Sequence, residues 1–181
     1  DTRNWSSSSM PVSEWFDVEW IALDNPESPN DDLRARGYEK GAALFARGEG
    51  IHWGENELYF CCTNGGQKQL GQVMKLVPSA DGEQDKFQLF LESDNKNLYN
   101  FGDNLTVCPN GHLLVCEDQY TDIVDNHLRG VTPSGEVYNF AKLHAQTELA
   151  GACFSPDGNT LFVNIYSPTK TLAITGPWAR A

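Results

Sequence analysis

Apolar and polar positions alternate along this chain in short runs, and one phrase recurs three times. Gly54-Glu55-Asn56-Glu57 leads into Leu58-Tyr59-Phe60, Pro109-Asn110-Gly111-His112 into Leu113-Leu114-Val115, and Pro156-Asp157-Gly158-Asn159-Thr160 into Leu161-Phe162-Val163. Each phrase is a polar, Gly-containing turn followed by an apolar strand. Leu58 and Leu113 lie 55 residues apart, and Leu113 and Leu161 lie 48 apart. A strand phrase returning every ~40–50 residues predicts the sheets of a propeller, whose inner strands converge on a central axis.

Around the phrases the pattern predicts a first set of strands near residues 44–45, 51–53, 58–63, 71–77 and 87–92. A second set is predicted over 105–108, 112–116, 127–132 and 137–140, and a third over 151–154, 161–165 and 172–175. An earlier strand is expected over 18–23. A helical turn is expected over 31–36, capped by Asn30 and stopped by Gly37. Residues 1–17, with Ser6 to Ser9 in a row, are expected as an arm or linker, and residues 18–181 as the propeller part. The fold class expected is therefore all-β, with about three β-propeller blades. Because propellers close with at least about four blades, further blades are expected from the same precursor or from another chain. A simple β-sandwich is the competing architecture.

Charge narrows the partners. The net charge is −12 and the isoelectric point about 4.6, which disfavours nucleic acid and anionic membrane and suits cations or a solvated acidic surface. No apolar run is long enough for a membrane span. The first residue is Asp1, so the chain reads as a processed product or as part of something longer. Its five cysteines are an odd number without a CxxC pair, and most of them are expected as small buried residues.

Candidate chemistry rests on carboxylates. Glu49 precedes the first phrase, and Glu117 ends the strand Leu113-Leu114-Val115-Cys116 and is followed by Asp118. An acid at the end of a buried strand must be paired or must bind a metal. Hard cations such as calcium take six to eight oxygen ligands. Asp103-Asn104 enters a strand and serves either a metal or an Asx-turn. Asn164 interrupts an apolar strand. Asn4-Trp5-Ser6 and Asn104-Leu105-Thr106 are glycosylation sequons, the second hidden on an inner strand. The four histidines show no metal spacing, and no GxSxG or phosphate-cradling loop occurs.

Several of these runs resemble the PhoX-type alkaline phosphatases. They include Phe45-Ala46-Arg47-Gly48-Glu49-Gly50, Tyr59-Phe60-Cys61-Cys62-Thr63-Asn64-Gly65-Gly66 and Asp103-Asn104-Leu105. They also include Cys116-Glu117-Asp118, Gly151-Ala152-Cys153-Phe154-Ser155-Pro156-Asp157-Gly158 and Ala173-Ile174-Thr175-Gly176-Pro177-Trp178. The resemblance covers residues 18–178. It implies a six-bladed propeller that is secreted or periplasmic and hydrolyses phosphomonoesters with calcium and iron. It implies Glu49 and Glu117 as metal ligands, with Asp118, Asp103 and Trp178 lining the site. It also implies that this chain is a C-terminal portion, with the iron-ligating cysteine in the absent N-terminal half, so none of the five cysteines takes that role. Two other readings stand beside it: a non-catalytic propeller segment in a larger assembly, and a calcium-dependent lactonase-like hydrolase.

Overall fold

The structure is a computed structural model that describes residues 1–119 and 121–178. It is all-β, with three antiparallel sheets that follow chain order except where β1 joins the first. The first sheet is built on β2 (Gly48–Trp53), β3 (Leu58–Cys62), β4 (Gln72–Val77) and β5 (Lys86–Glu92), and β1 (Trp15–Asp17) joins it beside β5. The second runs β6 (Gly102–Val107), β7 (Leu113–Glu117), β8 (His127–Val131) and β9 (Val137–Lys142). The third runs β10 (Leu149–Phe154), β11 (Thr160–Ile165) and β12 (Lys170–Thr175). None of the three sheets closes on itself.

The apolar phrases become β3, β7 and β11, and their burial explains their composition. In β7 Leu113 and Val115 face the first sheet, packing with Tyr59, Cys61 and Val73. Their neighbours Leu114 and Cys116 face the third sheet, packing with Leu161 and Val163. A strand covered on both faces reads as a continuous apolar run, because its period-2 alternation separates two buried faces instead of core from water.

Three early elements differ from expectation. Residues 18–23 form no strand: β1 lies just before them, and Val18 donates its N–H to Asp85 O at 2.9 Å and accepts from Gln84 Nε2 at 3.3 Å. The helix α1 spans Leu33–Glu39 and runs through Gly37, which is buried against Ala42 and Leu23. It ends at Lys40, and Gly41 follows at φ +96°. Its N-cap is Asp32, which makes no side-chain capping bond. The expected pair of strand residues at 44–45 is also absent, and β2 starts at Gly48. Residues 1–17 lie along the first sheet. Met10 enters its core with Cys62, Met74 and Leu89, and Thr2 donates its N–H to Leu44 O at 3.1 Å. The Asn4 sequon is occluded, since Asn4 is 4% exposed and its amide donates to Met10 O and Glu92 Oε2.

One irregularity repeats in all three sheets. Register slips between Gly48 and Ile51 in β2, between Gly102 and Leu105 in β6, and between Leu149 and Ala152 in β10. Two residues of the first strand thus oppose one residue of the second: Glu49-Gly50 against Cys61, Asp103-Asn104 against Cys116, and Ala150-Gly151 against Asn164. Such bulges bend a strand and re-aim its side chains. The bulged strands also meet, with β6 packing against both β2 and β10.

Gly50 sits at the tightest of these contacts. A Cβ there would lie 2.5 Å from Asn104 Cα and 2.7 Å from Asp103 O. Backbone cannot retreat as a side-chain tip can, so Gly50→Ala must push β2 away from β6. Overpacking of this kind costs about 1–3 kcal/mol, and we expect a denaturant midpoint lowered accordingly. A midpoint equal to that of the unaltered chain would show that the two strands do not meet there.

Candidate functional site

The three first strands begin at one end of the molecule, and four carboxylates stand there. Glu49 is near the start of β2 and Asp103 near the start of β6. Asp118 follows β7, whose last residue, Glu117, pairs with Gly102. Glu148 immediately precedes β10. Asp103 accepts a hydrogen bond from Thr63 Oγ1 at 3.2 Å, which ties the first sheet to the second. Glu49 is exposed and lies 3.5 Å from Arg47 Nη2, a solvated pair of little energetic weight.

The four acids feel one another. Burial raises the pKa of Asp103, and the charges of Glu49 and Asp118 raise it further. Glu148 is pushed up to about 7, first by burial, then by a hydrogen bond with Asp118 and by the charges of Asp118 and Asp103. Asp103 and Glu148 thus hold their protons more tightly than isolated acids would.

Glu117 occupies a different setting. It is fully buried, and its Oε1 accepts from Arg129 Nε at 2.7 Å and from the Asn100 N–H at 2.9 Å. Its Oε2 accepts from the His127 N–H at 2.9 Å. Burial raises its pKa, against the pull of Arg129 and these two backbone donors. Arg129, also buried, is held in turn by Asn139 Oδ1 and by His127 Nδ1, the latter at 3.2 Å. The acid ending β7 is thus paired across to β8.

Trp178 lies at the far end of the third sheet. Its Nε1 donates to Asn159 O at 3.0 Å, and its ring packs on Phe154 and Phe140. Phe154 ends β10 and Glu148 precedes its start, so the strand separates Trp178 from the carboxylates. The structure therefore brings together Glu49, Asp103 and Asp118, sets Glu117 in an ion pair behind them, and leaves Trp178 apart. A cleft of about 780 Å³ at that far end is lined by residues including Trp53, Lys75, Cys108 and Phe154, and the carboxylates are not among its walls.

Sequence reasoning missed Glu148 and Arg129. Glu148 had a signal: it stands two residues before Ala150-Gly151, the third-sheet equivalent of Asp103-Asn104. Arg129 had none, because a lone Arg in a strand looks solvated until the fold buries it.

The family model described as alkaline phosphatase PhoX matches residues 5–169. The chain belongs to the PhoX alkaline phosphatase family. No curated protein and no solved structure matches the chain. Among the described residues no helix is long and apolar enough to cross a membrane.

PhoX membership raises the question of metals, and the donors give a divided answer. Glu49, Asp103, Asp118 and Glu148 are hard oxygen donors of the kind calcium prefers. Yet among the described residues no three His, Cys, Asp or Glu side chains converge closely enough to hold an ion by themselves. Iron fits less well. Burial raises the Cys61 thiol and pushes Cys62, Cys108 and Cys116 up to about 12, so these four stay protonated and are poor ligands.

Two outcomes follow from these geometries. Glu148 has its pKa raised from 4.5 to about 7 by folding. Between those values the native chain keeps a proton that the unfolded chain has lost, so this group's contribution to stability falls as pH rises through the window. Glu148→Gln should therefore raise the melting temperature relative to the unaltered chain more at pH 7.5 than at pH 5; equal shifts at both would refute the crowding. Separately, Arg129→Met strands the Glu117 charge and should cost about 3–5 kcal/mol in urea titration. Adding Glu117→Gln should recover part of that loss, whereas strictly additive losses would mean the two groups are not coupled.

Proposed function

We propose that this chain forms part of a metal-dependent phosphomonoesterase, contributing about three blades of a six-bladed propeller. One observation carries the reading: carboxylates from the starts of three successive bulged strands gather at one end and share an electrostatic field. The repeated meander, the matching bulges and the contacts of β6 with β2 and β10 support blades around an axis.

In this reading Glu49, Asp103 and Asp118 supply oxygen ligands to calcium, and Glu148 joins them. For Glu117 to join as well, Arg129 would have to release Oε1. Trp178 has no part in the site as placed. A bound cation would neutralise phosphate oxygens and the charge that grows in the transition state. Without that neutralisation four acids repel a phosphomonoester dianion, so the substrate class and the acid cluster are compatible only through cations. The remaining ligands, including those for iron, come from the remaining blades, on the same precursor or on another chain. Secretion or a periplasmic location is part of the same reading.

A second reading, a non-catalytic propeller segment within a larger assembly, is favoured by the lack of a three-ligand group among the described residues and by exposed apolar residues on the third sheet, such as Phe162 and Leu172.

Calcium titration with hydrolysis of a chromogenic phosphomonoester separates the two. On the phosphatase reading calcium raises the melting temperature, more strongly at pH 8 than at pH 5 because its ligands must lose protons. A ligand at a hundred times its Kd stabilises by about 2.7 kcal/mol, and Asp103→Asn should abolish most of that gain. Hydrolysis that falls with the same substitution supports the enzyme. Calcium binding without hydrolysis, with or without iron added, favours the assembly segment. No calcium effect at any pH overturns the cation site.

A further inference from the structure

The three sheets stack in chain order, and equivalent positions are buried inside the stack but exposed at its two ends. Cys61, Cys116 and Asn164 each oppose the bulged pair of their sheet, which puts Tyr59, Leu114 and Phe162, two residues earlier, in register with one another. Tyr59 is buried against the second sheet and Leu114, 1% exposed, against the third, whereas Phe162 is 37% exposed. Its cross-strand neighbours Cys153 and Ala173 are exposed with it. The other end of the stack shows the same contrast. Leu105, paired with Val115, is 2% exposed between the first two sheets, and its first-sheet equivalent Ile51, paired with Phe60, is 60% exposed. Trp53 is 52% exposed, and Phe45, which packs edge-on against Phe60, is exposed as well.

We propose that these two end faces are the halves of one interface: the third sheet of one copy of this chain stacks on the first sheet of a second copy, and two such contacts close a ring of six sheets, three from each copy. Such a ring rests on the propeller geometry common to both proposed functions and on none of their cation chemistry. Inside the stack, the face that each sheet turns toward the next meets the face that the next turns back. The third sheet is left with a bare forward face and the first with a bare backward face, so the two ends complement each other rather than themselves. The interior contacts run through the inner strands, with β6 against β2 and β3, and β10 against β6 and β7. The same strands stay open at the ends. Met10 covers Met74 and Leu89 of the first sheet, while Ile51 and Trp53 of β2 remain exposed.

Apolar burial drives such a contact. Single exposed apolar residues are ordinary, but a patch at positions that the same molecule buries elsewhere marks a face built to be covered. Aromatic anchors such as Phe162 and Trp53 carry a large share of binding energy once a partner covers them. Asn164, which interrupts the apolar run of β11, stands where Cys61 and Cys116 are buried. Thr171 Oγ1 donates to its Oδ1 at 2.8 Å, so this acceptor stays satisfied under a covering sheet. A head-to-tail contact makes a ring only if its rotation closes, and otherwise grows into an open fibre. Two chains of charge −12 also repel each other, so the contact is best measured at physiological salt, where the Debye length is about 8 Å.

The test weighs the full chain by sedimentation at concentrations up to roughly 100 μM, above the micromolar end of the affinities that interfaces of ordinary size reach. The expected mass is twice the 20.1 kDa of one chain. Phe162→Asp and Ile51→Asp alter opposite faces, and each alone should weaken dimerisation at least about 30-fold, the loss carried by a central anchor. An equal mixture of the two variants should dimerise again through one intact contact, because the third-sheet face of the Ile51 variant meets the first-sheet face of the Phe162 variant. Circular dichroism checks that each variant is folded, and if Phe162→Asp is not, Ala173→Glu on the same face is read in its place. A monomer at every concentration, a dimer untouched by Ile51→Asp, or a mixture that stays monomeric would overturn the pairing and leave the propeller reading standing. A mass that keeps rising with concentration would instead refute closure, and the propeller geometry with it.

Discussion

The closeness of β2 to β6 is the constraint on which the arrangement depends. Two strands of different sheets can approach to backbone contact only where one lacks a side chain, and Gly50 provides that point against Asn104. Glu49 and Asp103 inherit their geometry from this contact. Glu49 precedes Gly50, Asp103 precedes Asn104, and each pair is the bulged pair of its strand. A regular ladder would send these side chains alternately to the two faces of a sheet. The bulge spends one residue on changing direction, and the same device appears a third time at Ala150-Gly151.

The second sheet is the other half of the frame. It is packed on both faces, so polar groups inside it have no water to turn to. Glu117 and Arg129 meet this by pairing with each other and drawing in the Asn100 and His127 backbone amides, His127 Nδ1 and Asn139. A buried pair of this kind contributes little net energy against an apolar replacement, and its clearest effect is specificity. Here it ties the end of β7 to β8 and to the segment before β6, and Asp118 continues directly from that anchored end, donating its N–H to Phe101 O at 2.9 Å. Glu117, one of the two acids expected as ligands, is thus satisfied by protein, and the acids around it are left crowded.

That contrast explains the electrostatics of the site. Crowded, partly buried carboxylates with raised proton affinity are in a state that a divalent cation relieves, because it replaces mutual repulsion with shared attraction. The described residues bring acids from three sheets towards one place without completing a coordination shell. A family described as alkaline phosphatases and a surface that repels phosphate are reconciled by the proposed reading, in which cations and further polypeptide complete the site.

The repeat of polar turn and apolar strand was legible in the sequence because both faces of β3 and β7 and one face of β11 must be apolar for the sheets to stack. The all-β class and, among the described residues, the position of eleven of the twelve strands to within a few residues followed from that patterning and from local turn chemistry, and the PhoX resemblance from specific residue runs. The N-terminal region was less legible: β1 borrows its hydrogen bonds from β5, some seventy residues away, and nothing in Trp15-Phe16-Asp17 announces that partner. The site was half legible. Glu49, Asp103 and Asp118 stood out as acids beside strands, but which acids share a field depends on which strand ends are neighbours in space. Tertiary structure alone decided that Glu117 is paired with Arg129, that Trp178 packs at the opposite end, and that Glu148 joins the cluster, because burial and long-range contact set the cost of a charge and neither can be read from nearest neighbours along the chain.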